Sequence, residues 1–243
     1  MNIVAVIPAR MGSTRFPGKP LALICGKPMI QHVYEKAAAC SLIKSVIVAA
    51  DDSAVQQTVQ AFGGKVFMTS PDHHTGTDRV AEVAQNLAAD IIVNIQGDEP
   101  LLVPDAIEEA VKPLLQDTRI TMSTLKTALR PDDDPLDPNI VKVATDASGR
   151  ALYFSRSPIP FNRDRSSAAR LYRHIGLYVF RRNFLFEFTT LPQTTLEKAE
   201  SLEQLRALEH GYAIHVSETR YYPVGVDIPS DIELVEAIMQ KQG

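Results

Sequence analysis

The segment that follows the first apolar run of the chain, residues 8–20, gathers positive charge among small residues. It carries Arg10, Arg15 and Lys19 between alanine, serine, threonine and glycine residues. Small residues let backbone N–H groups approach an anion, and clustered cations neutralise a polyphosphate. Neither the glycine spacing nor the proline after Lys19 fits a Walker A loop. We predict a polyphosphate-binding loop; the alternative is a surface loop with scattered charges.

Carboxylates follow a second apolar run. The sequence Gln96-Gly97-Asp98-Glu99-Pro100 comes directly after the isoleucines and valine of residues 91–95. Mg²⁺ in phosphate-binding sites takes one or two protein carboxylates together with substrate oxygens. Helix capping or turn formation is the alternative, but the cationic loop favours a metal. We therefore predict Asp98 as a magnesium ligand.

A third polar segment, residues 70–79, precedes a predicted helix. Thr75 and Thr77 are suited to cap that helix, which is the simplest interpretation. The start of a helix also attracts anions, and Arg79 could bind a carboxylate through two hydrogen bonds. His73 and His74 are interpreted as loop residues.

These segments lie between alternating strands and helices. The apolar pattern predicts strands at residues 3–8, 45–49, 66–68 and 91–95, and helices that start near Pro28, Asp51 or Asp52, Thr77 and Pro104. The β-α-β-α order predicts an α/β fold with a doubly wound, mostly parallel sheet. Ligands bind such sheets beyond the carboxyl ends of the strands, so the loops after Pro8, Met68 and Ile95 should share one rim.

The regular alternation of predicted strands and helices ends after Ala128. Residues 130–139 are a polar, proline-rich connector whose acidic run is interpreted as a solvated loop. A hairpin is predicted for 141–143 and 151–154, and strands for 175–180 and 214–216. The leucine spacing predicts one helix over 195–210 that carries Glu203 and Gln204 on the face opposite the leucines, and a last helix over 230–239.

Composition limits the classes of protein that fit. The chain has 243 residues, 45% hydrophobic and 22% charged, with a formal net charge of -4. This composition is typical of a globular domain and argues against disorder and against non-specific nucleic-acid binding. No apolar run reaches the roughly 20 residues of a membrane span, and the first residues do not resemble a signal peptide. With Cys25 and Cys40 as its only cysteines, we expect a cytoplasmic protein with reduced thiols.

Taken together, the motifs resemble the sugar-acid cytidylyltransferases, and among them the enzymes that use 3-deoxy-manno-octulosonate (Kdo). The resemblance covers nearly the whole chain. Its segments are Pro8-Ala9-Arg10, Ser13-Thr14-Arg15, Pro17 to Leu21, Gly26 to Tyr34, Asp51-Asp52, Gly76 to Arg79, Gln96 to Pro100, Ala151 to Arg156, His174-Ile175-Gly176, Leu202 to Arg206 and Val226-Asp227.

The resemblance implies transfer of CMP from CTP to the anomeric hydroxyl of Kdo, giving CMP-Kdo and pyrophosphate for lipopolysaccharide biosynthesis. It implies a nucleotide-diphospho-sugar transferase-like sheet and a smaller β-rich lobe for dimerisation and sugar binding. The implied organisation is one domain, 1–243, with a nucleotide-binding core at 1–128, the β-rich lobe at 139–190, and returning helices and a strand at 191–243. The implied partners are CTP, Kdo and a second copy, which joins through residues 152–180, with no nucleic acid and no membrane.

The resemblance also assigns residues to roles. The catalytic residues it implies are Lys19, Arg10, Asp98 and Asp227. The implied CTP-binding residues are Pro8, Ala9, Arg10, Ser13, Lys19, Ser70, Pro71, Gly76 and Asp98. The implied sugar-acid-binding residues are Arg79, Gln96, Arg156, His174, Tyr178, Glu203 and Gln204. Asp98 and Asp227 would bind the Mg²⁺ cofactor.

Other functions stay open at this point. A related sugar acid, such as 8-amino-Kdo, could replace Kdo. A metal-dependent glycosyltransferase also places carboxylates at a strand end, but it would not need the Arg10 and Lys19 loop. A catalytically inactive nucleotide-binding regulator is a further alternative, against which the presence of Lys19, Asp98 and Asp227 argues.

Overall fold

The computed structural model describes residues 1–12, 15–163 and 170–242. The strands are β1 (Ile3–Ala9), β2 (Leu23–Ile24), β3 (Lys27–Pro28), β4 (Ser45–Ala50), β5 (Lys65–Met68), β6 (Ile91–Asn94), β7 (Met122–Ala128), β8 (Lys142–Thr145), β9 (Ala151–Ser155), β10 (Tyr172–Arg181) and β11 (His215–Glu218). The helices are α1 (Met29–Ala38), α2 (Ser53–Ala61), α3 (Gly76–Gln85), α4 (Pro104–Gln116), α5 (Arg182–Thr190), α6 (Thr195–Glu200), α7 (Leu205–Glu209) and α8 (Asp231–Gln242). A short 3-10 helix covers Lys19–Leu21.

Internal contacts divide the chain into two compact units. The first contains Met1–Glu108 and Tyr221–Gly243, and the second contains Glu109–Arg220. The chain thus leaves the first unit within α4 and returns to it after β11. The single-domain organisation with boundaries at 128, 139 and 190 stays a prediction.

The first unit is built on a parallel sheet. Its strands lie in the order β6-β1-β4-β5, and each neighbouring pair is parallel. The side chains of β1 from Ile3 to Ile7 are buried on both faces, which explains why this strand reads as an unbroken apolar run. The α/β fold and the parallel core predicted from the sequence are therefore confirmed.

Local capping explains where the helices of the first unit start. The Asp52 side chain accepts a hydrogen bond from the Ala54 N–H at 2.7 Å and begins α2. At α3, the Thr75 hydroxyl accepts from the Asp78 N–H, and the Asp78 carboxylate accepts from the Thr75 N–H. This reciprocal capping box satisfies two N–H groups that the helix itself leaves unpaired.

The second unit is mainly antiparallel. Strand β10 pairs antiparallel with β7 and β8, β8 pairs antiparallel with β9 as the predicted hairpin, and β11 runs parallel to β7. The sequence analysis does not single out β7 or α5. Strand β10 also contains a bulge between Ile175 and Val179, where its register against β7 shifts.

The single helix predicted over residues 195–210 is wrong. Helix α6 ends at Glu200, and Ser201 adopts a left-handed backbone conformation with φ 51°. Such a residue stops a helix, because its peptide groups turn away from the helical ladder. Glu203 and Gln204 therefore lie in the turn before α7, not on a helix face.

Two expectations from composition can be compared with the structure. No helix within the described residues is long and apolar enough to cross a membrane. Both cysteines are free thiols; Cys40 is buried and Cys25 is exposed.

The capping box at α3 generates a stability prediction. Replacing Thr75 with alanine leaves the Asp78 N–H without its acceptor, and loss of such a cap costs about 1 kcal/mol. Thr75→Ala should lower the free energy of unfolding by that amount in urea denaturation. Thr75→Ser keeps the hydroxyl and is the matched control. Equal stability of the alanine and serine variants would contradict the capping role.

Candidate active site

The side-chain ammonium of Lys19 is the centre of a polar cluster in the first unit. It lies 2.6 Å from Asp98 Oδ2, 2.9 Å from the Val226 carbonyl oxygen and 3.7 Å from Asp227 Oδ1. The Lys19 side chain is only 16% exposed, whereas Asp98 and Asp227 are 33% and 51% exposed. Two carboxylates distant in sequence therefore meet at one cation that is largely shielded from water.

Backbone contacts bring Asp227 to this place. The Val226 N–H donates to the Asp98 carbonyl at 2.9 Å, and the Tyr221 hydroxyl donates to Glu99 Oε2 at 2.8 Å. A side chain added at Gly225 would lie 3.6 Å from the Asp98 carbonyl. The segment 221–227 is thus fastened along the loop that follows β6.

An apolar cluster anchors the same segment from the other side. Val226 is fully buried together with Ile24, Met29 and Val235. Burial of aliphatic side chains of this size stabilises a fold by roughly 1.5–3 kcal/mol each. The position of Asp227 is therefore fixed by its buried neighbour in sequence.

A backbone hydrogen bond closes the loop after β1, which carries Arg10 and Arg15. The Gly18 N–H donates to the Met11 carbonyl at 3.3 Å, and Gly18 has a φ of 72°, which favours glycine. Arg15 reaches Asp227 Oδ1 at 3.2 Å, and Arg10 is exposed. The predicted CTP residue Ser13 lies outside the described residues.

Close packing surrounds Pro8 at the end of β1. A Cβ atom added at Gly76 would lie 3.3 Å from the Pro8 ring, and one added at Gly97 would lie 3.2 Å from the Pro8 carbonyl oxygen. The loops after β1 and β6 and the start of α3 therefore meet where the sequence predicts a shared rim. Ala9 is buried beside Pro8, and Gln96 Nε2 lies 3.5 Å from Asn94 Oδ1.

Arg79 is a buried tie between these loops. Its guanidinium lies 3.0 Å from Asp51 Oδ2 and donates to the Ser70 carbonyl at 3.1 Å and to the Thr69 hydroxyl. Asp51 Oδ1 also accepts from the Met11 N–H at 3.3 Å. The pair joins the segments after β1, β4 and β5, while the sugar-acid contact of Arg79 stays a prediction.

The loop with the predicted base-reading residues is held by one carboxylate. Glu82 Oε2 accepts from the Ser70 N–H at 3.0 Å and lies 2.5 Å from His73 Nε2. Pro71 is exposed beside them. His73 thus lies in this loop, as predicted, and contacts the same carboxylate oxygen as the Ser70 N–H.

In the second unit, four predicted sugar-acid residues lie together. The His174 ring centroid is 5.5 Å from that of Tyr178. Burial raises the pKa of the Tyr178 hydroxyl well above its usual value, and the nearby Glu203 carboxylate raises it further. Gln204 follows Glu203 directly and is buried. Its Nε2 has no hydrogen-bond partner within the described part of the chain.

A buried ion pair supports the turn that carries Glu203 and Gln204. Arg206 Nε lies 2.9 Å from Glu197 Oε2, and Arg206 Nη2 lies 2.5 Å from Glu197 Oε1. Both side chains are less than 10% exposed, and Arg206 also lies 4.0 Å from Glu203 Oε1. In the sequence, Glu203 and Gln204 lie between Glu197 and Arg206, the two partners of this bidentate pair.

Arg156 serves the same turn from β9. Its guanidinium donates to the carbonyls of Pro138, Glu200 and Ser201 at 2.7, 2.6 and 3.3 Å. The Arg156 N–H and the Ser155 hydroxyl both donate to the Glu200 carboxylate. In the structure Arg156 therefore fastens the end of α6, and its contact with a sugar acid stays a prediction.

The residues at Lys19 fit a divalent cation. No group of three or more histidine, cysteine, aspartate or glutamate side chains forms a metal site within the described residues. Asp98 and Asp227 nevertheless both lie near one position, the one that the Lys19 ammonium occupies. That position therefore favours positive charge. Two carboxylates with substrate phosphate oxygens are a donor set that Mg²⁺ accepts.

The sequence alone assigns no role at these sites to several residues that hold them in place. Asp51 belongs to a segment of the resemblance, but the residue pattern predicts for it only a helix cap, as an alternative to Asp52. Glu197 gives no signal, and Arg206 only ends a segment of the resemblance, because the single predicted helix conceals the turn between them. Thr124, whose Oγ1 lies 3.0 Å from His174 Nε2, gives no signal either, because the sequence pattern does not predict β7. A buried charge pair carries no periodic signature that a single sequence reveals.

A family of known proteins matches most of this chain. The sequence pattern of a family described as cytidylyltransferase matches residues 4–217. The chain belongs to the cytidylyltransferase family.

Relatives of this family member align over almost their full length. The 3-deoxy-manno-octulosonate cytidylyltransferase of Geobacter sulfurreducens is 56% identical over 245 residues, covering 97% of this chain and 98% of the relative. The protein of the same name from Pelobacter propionicus is 57% identical over 242 residues, covering 96% and 95%.

Solved structures agree with the fold. CMP:2-keto-3-deoxy-manno-octonic acid synthetase complexed with CTP superposes with a TM-score of 0.95 at 45% identity, over 100% of both chains. The 4-diphosphocytidyl-2C-methyl-D-erythritol synthase of Anaerococcus prevotii has a TM-score of 0.64 at 12% identity, covering 98% of both chains, and shares the fold alone.

The buried pair gives a prediction on stability. Glu197→Gln removes the bidentate partner of the buried Arg206 charge and leaves only the Glu203 carboxylate, 4.0 Å away, and breaking such a pair costs about 3–5 kcal/mol. Urea denaturation should show a loss of that size in the free energy of unfolding. The exposed pair Lys27–Glu35, 2.6 Å apart, supplies the control, because Glu35→Gln should cost at most about 1 kcal/mol. A loss at Glu197 no larger than at Glu35 would show that the pair does not hold the turn.

Proposed function

We propose that the protein transfers CMP from CTP to the anomeric hydroxyl of Kdo and releases pyrophosphate. The product, CMP-Kdo, is the activated sugar for lipopolysaccharide biosynthesis. The relatives named above carry this activity in their names and align from end to end with this chain.

One observation in the structure carries the proposal. Lys19, Asp98 and Asp227 meet at the end of the parallel sheet, beside the loop that carries Arg10 and Arg15. A glycosyltransferase has no β,γ-pyrophosphate to neutralise and does not need this density of cations. The arrangement suits attack on a nucleoside triphosphate, where a pyrophosphate must be stabilised as it leaves.

The chemistry asks for positioning more than for covalent participation of the protein. The anomeric oxygen of Kdo attacks the α-phosphorus, the bond to the β-phosphate bridging oxygen breaks, and the hydroxyl proton is lost to solvent. Lys19 and Arg10 neutralise the triphosphate, with Pro8, Ala9, Ser13, Ser70, Pro71 and Gly76 shaping the CTP subsite. The resemblance assigns His174, Tyr178, Glu203 and Gln204 to the hydroxyls of the sugar acid, Arg79 or Arg156 to its carboxylate, and Gln96 as a further ligand. Holding both reactants in line accelerates such a step.

We also propose a Mg²⁺ cofactor held by Asp98 and Asp227. When bound, the ion neutralises phosphate charge and lowers the pKa of a hydroxyl that it binds. The support is the convergence of both carboxylates on the position of the Lys19 ammonium. Without the ion, the Lys19 ammonium offsets the repulsion between the carboxylates of Asp98 and Asp227.

A homodimer and a cytoplasmic location complete the proposal. The support for the dimer is the resemblance, which points to residues 152–180. Leu152 and Phe161 in this range are 62% and 86% exposed. The support for the location is the substrate, since CTP is a cytoplasmic nucleotide.

The decisive experiment measures pyrophosphate release from CTP with Kdo, sialic acid and 8-amino-Kdo in parallel reactions. Kdo should give the highest kcat/KM. Turnover with another sugar acid at a higher kcat/KM would reassign the substrate. Tight binding of CTP without turnover on any of the three would reduce the protein to a nucleotide-binding regulator.

The paired carboxylates generate a prediction on catalysis. Asp98→Asn and Asp227→Asn preserve size but remove charge, so each should lower kcat by roughly 10²-fold, as loss of one electrostatic contact does. Because both residues serve one ion, the double variant should be worse by less than the product of the two effects. Raised Mg²⁺ should restore part of the activity.

The exposed Asp132, in the solvated acidic loop, provides the matched control, and Asp132→Asn should behave as wild type. Full activity of Asp227→Asn at low Mg²⁺ would remove this residue from the site.

Gln204 generates a prediction on substrate binding. Its buried Nε2, which has no hydrogen-bond partner among the described residues, suits a substrate oxygen. A site built to bind hydroxyls loses selectivity when a polar partner is removed. Gln204→Ala should raise the KM for Kdo about tenfold or more and leave the KM for CTP nearly unchanged. The exposed Gln193 is the control position. An equal rise of both KM values would indicate misfolding rather than a lost sugar contact.

A further inference from the structure

Thr124 lies in the second unit at a point where the strand pairing is irregular. Strand β10 pairs Ile175 with Leu125 and then Val179 with Ser123. Thr124 therefore faces a stretch of β10 that contains two more residues than its partner strand. A bulge of this kind removes backbone groups from the regular ladder, and their hydrogen bonds must be made elsewhere.

The Thr124 hydroxyl lies within hydrogen-bond distance of two carbonyls of the bulge and shares its one hydrogen between them. Its Oγ1 lies 2.9 Å from the Ile175 carbonyl oxygen and 2.8 Å from the Leu177 carbonyl oxygen. The third neighbour of the same oxygen is His174 Nε2 at 3.0 Å. Thr124 is fully buried and His174 is 7% exposed, so water competes little for these contacts.

Counting donors decides which groups carry the protons. A hydroxyl has one hydrogen and two lone pairs, and a carbonyl oxygen only accepts. The Thr124 hydrogen is therefore used by the carbonyls of the bulge. If His174 Nε2 were unprotonated, the hydroxyl would face three acceptors with one hydrogen. With a proton on Nε2, the imidazole donates to Thr124, which donates onward to the backbone.

We propose that Thr124 is a positioning residue that holds His174 in the tautomer protonated at Nε2 and leaves Nδ1 as a hydrogen-bond acceptor for a hydroxyl of the sugar acid. The part that concerns the sugar acid rests on the proposed function. The part that concerns the tautomer rests on the geometry of β7 and β10 alone.

The charge state of the ring agrees with this role. Burial, together with the nearby Arg173 cation, lowers the pKa of His174 to about 3. The imidazole is therefore neutral near pH 7, and one ring nitrogen must be a bare acceptor. A neutral acceptor selects a hydroxyl and disfavours a carboxylate. In this arrangement His174 reads the polyol and leaves the acid group of the substrate to other residues.

The ring is also fixed in direction by its neighbours. Phe154 packs edge to face on the His174 ring, with centroids 4.9 Å apart. The hydrogen bond to Thr124 and the aromatic contact restrain both the tilt and the rotation of the imidazole. Ring orientation and tautomer are therefore set before any ligand binds, which reduces the cost of ordering on binding.

The test combines nitrogen NMR with kinetics on the intact enzyme. Long-range proton–nitrogen spectra at neutral pH distinguish the two tautomers, and His174→Gln identifies the His174 signals among the six histidines. Wild type should show the Nε2-protonated form. Thr124→Val keeps the side-chain shape and removes the hydroxyl, so the signals should move toward a mixture of tautomers. Thr124→Ser keeps the hydroxyl and should restore the wild-type spectrum.

The kinetic readout separates positioning from general damage. Thr124→Val should raise the KM for Kdo about tenfold, the effect of one lost hydrogen bond at a polar site, while the KM for CTP changes by less than about twofold. Thr124→Ser should stay within about twofold of wild type for both substrates.

A wild-type spectrum with the proton on Nδ1 would overturn the proposal, even if Thr124→Val failed to fold. An unchanged spectrum and an unchanged KM for Kdo in Thr124→Val would overturn it as well. If wild type did not turn over CTP and Kdo, the proposed function would fall, and the spectra would still decide the tautomer.

Discussion

The first unit depends on one ammonium group. Lys19 has three N–H donors, and its three neighbours, Asp98, Asp227 and the Val226 carbonyl, come from two stretches of chain far apart in sequence. Two carboxylates brought this close repel each other unless a cation lies between them. The ammonium offsets that repulsion in a place where water screens charge only in part. The closed loop after β1, the fastened segment 221–227 and the buried Val226 all serve to hold this cation and its partners.

The second unit solves a different problem, the placement of uncharged polar groups. Here the backbone departs from regular structure twice, at the bulge in β10 and at the left-handed Ser201. Each departure is stabilised by a polar side chain that donates to backbone carbonyls. Thr124 does so at the bulge, and Arg156 does so at the turn, where its guanidinium donates to the carbonyls of Glu200 and Ser201. Five of the residues proposed to bind the sugar acid sit on or beside these irregularities: Arg156, His174, Tyr178, Glu203 and Gln204.

The comparison of sequence and structure follows from this difference. Strand β1, the capped helices α2 and α3 and the loop of Lys19 were predictable, because buried parallel strands and helix caps leave local signals in the sequence. The break at Ser201 was not, since a serine gives no sign of a left-handed conformation and the leucine spacing continues across it. Asp227 was assigned only through the family resemblance, because its approach to Asp98 depends on a backbone hydrogen bond between distant segments. The sequence motifs indicate where the predicted site lies. Which side chains hold its residues in place is determined by tertiary contacts, which a single sequence does not reveal.

The return of the chain to its first unit has a consequence for synthesis. Asp98 and Asp227 lie on either side of the whole second unit in sequence. A ribosome that adds roughly 5–20 residues per second therefore delivers Asp227 on the order of ten seconds after Asp98. During that interval a nascent chain can form the parallel sheet and pair Lys19 with Asp98, but the second carboxylate does not yet exist. The pair of carboxylates is the last part of the centre to be made, so an unfinished chain on the ribosome cannot assemble it.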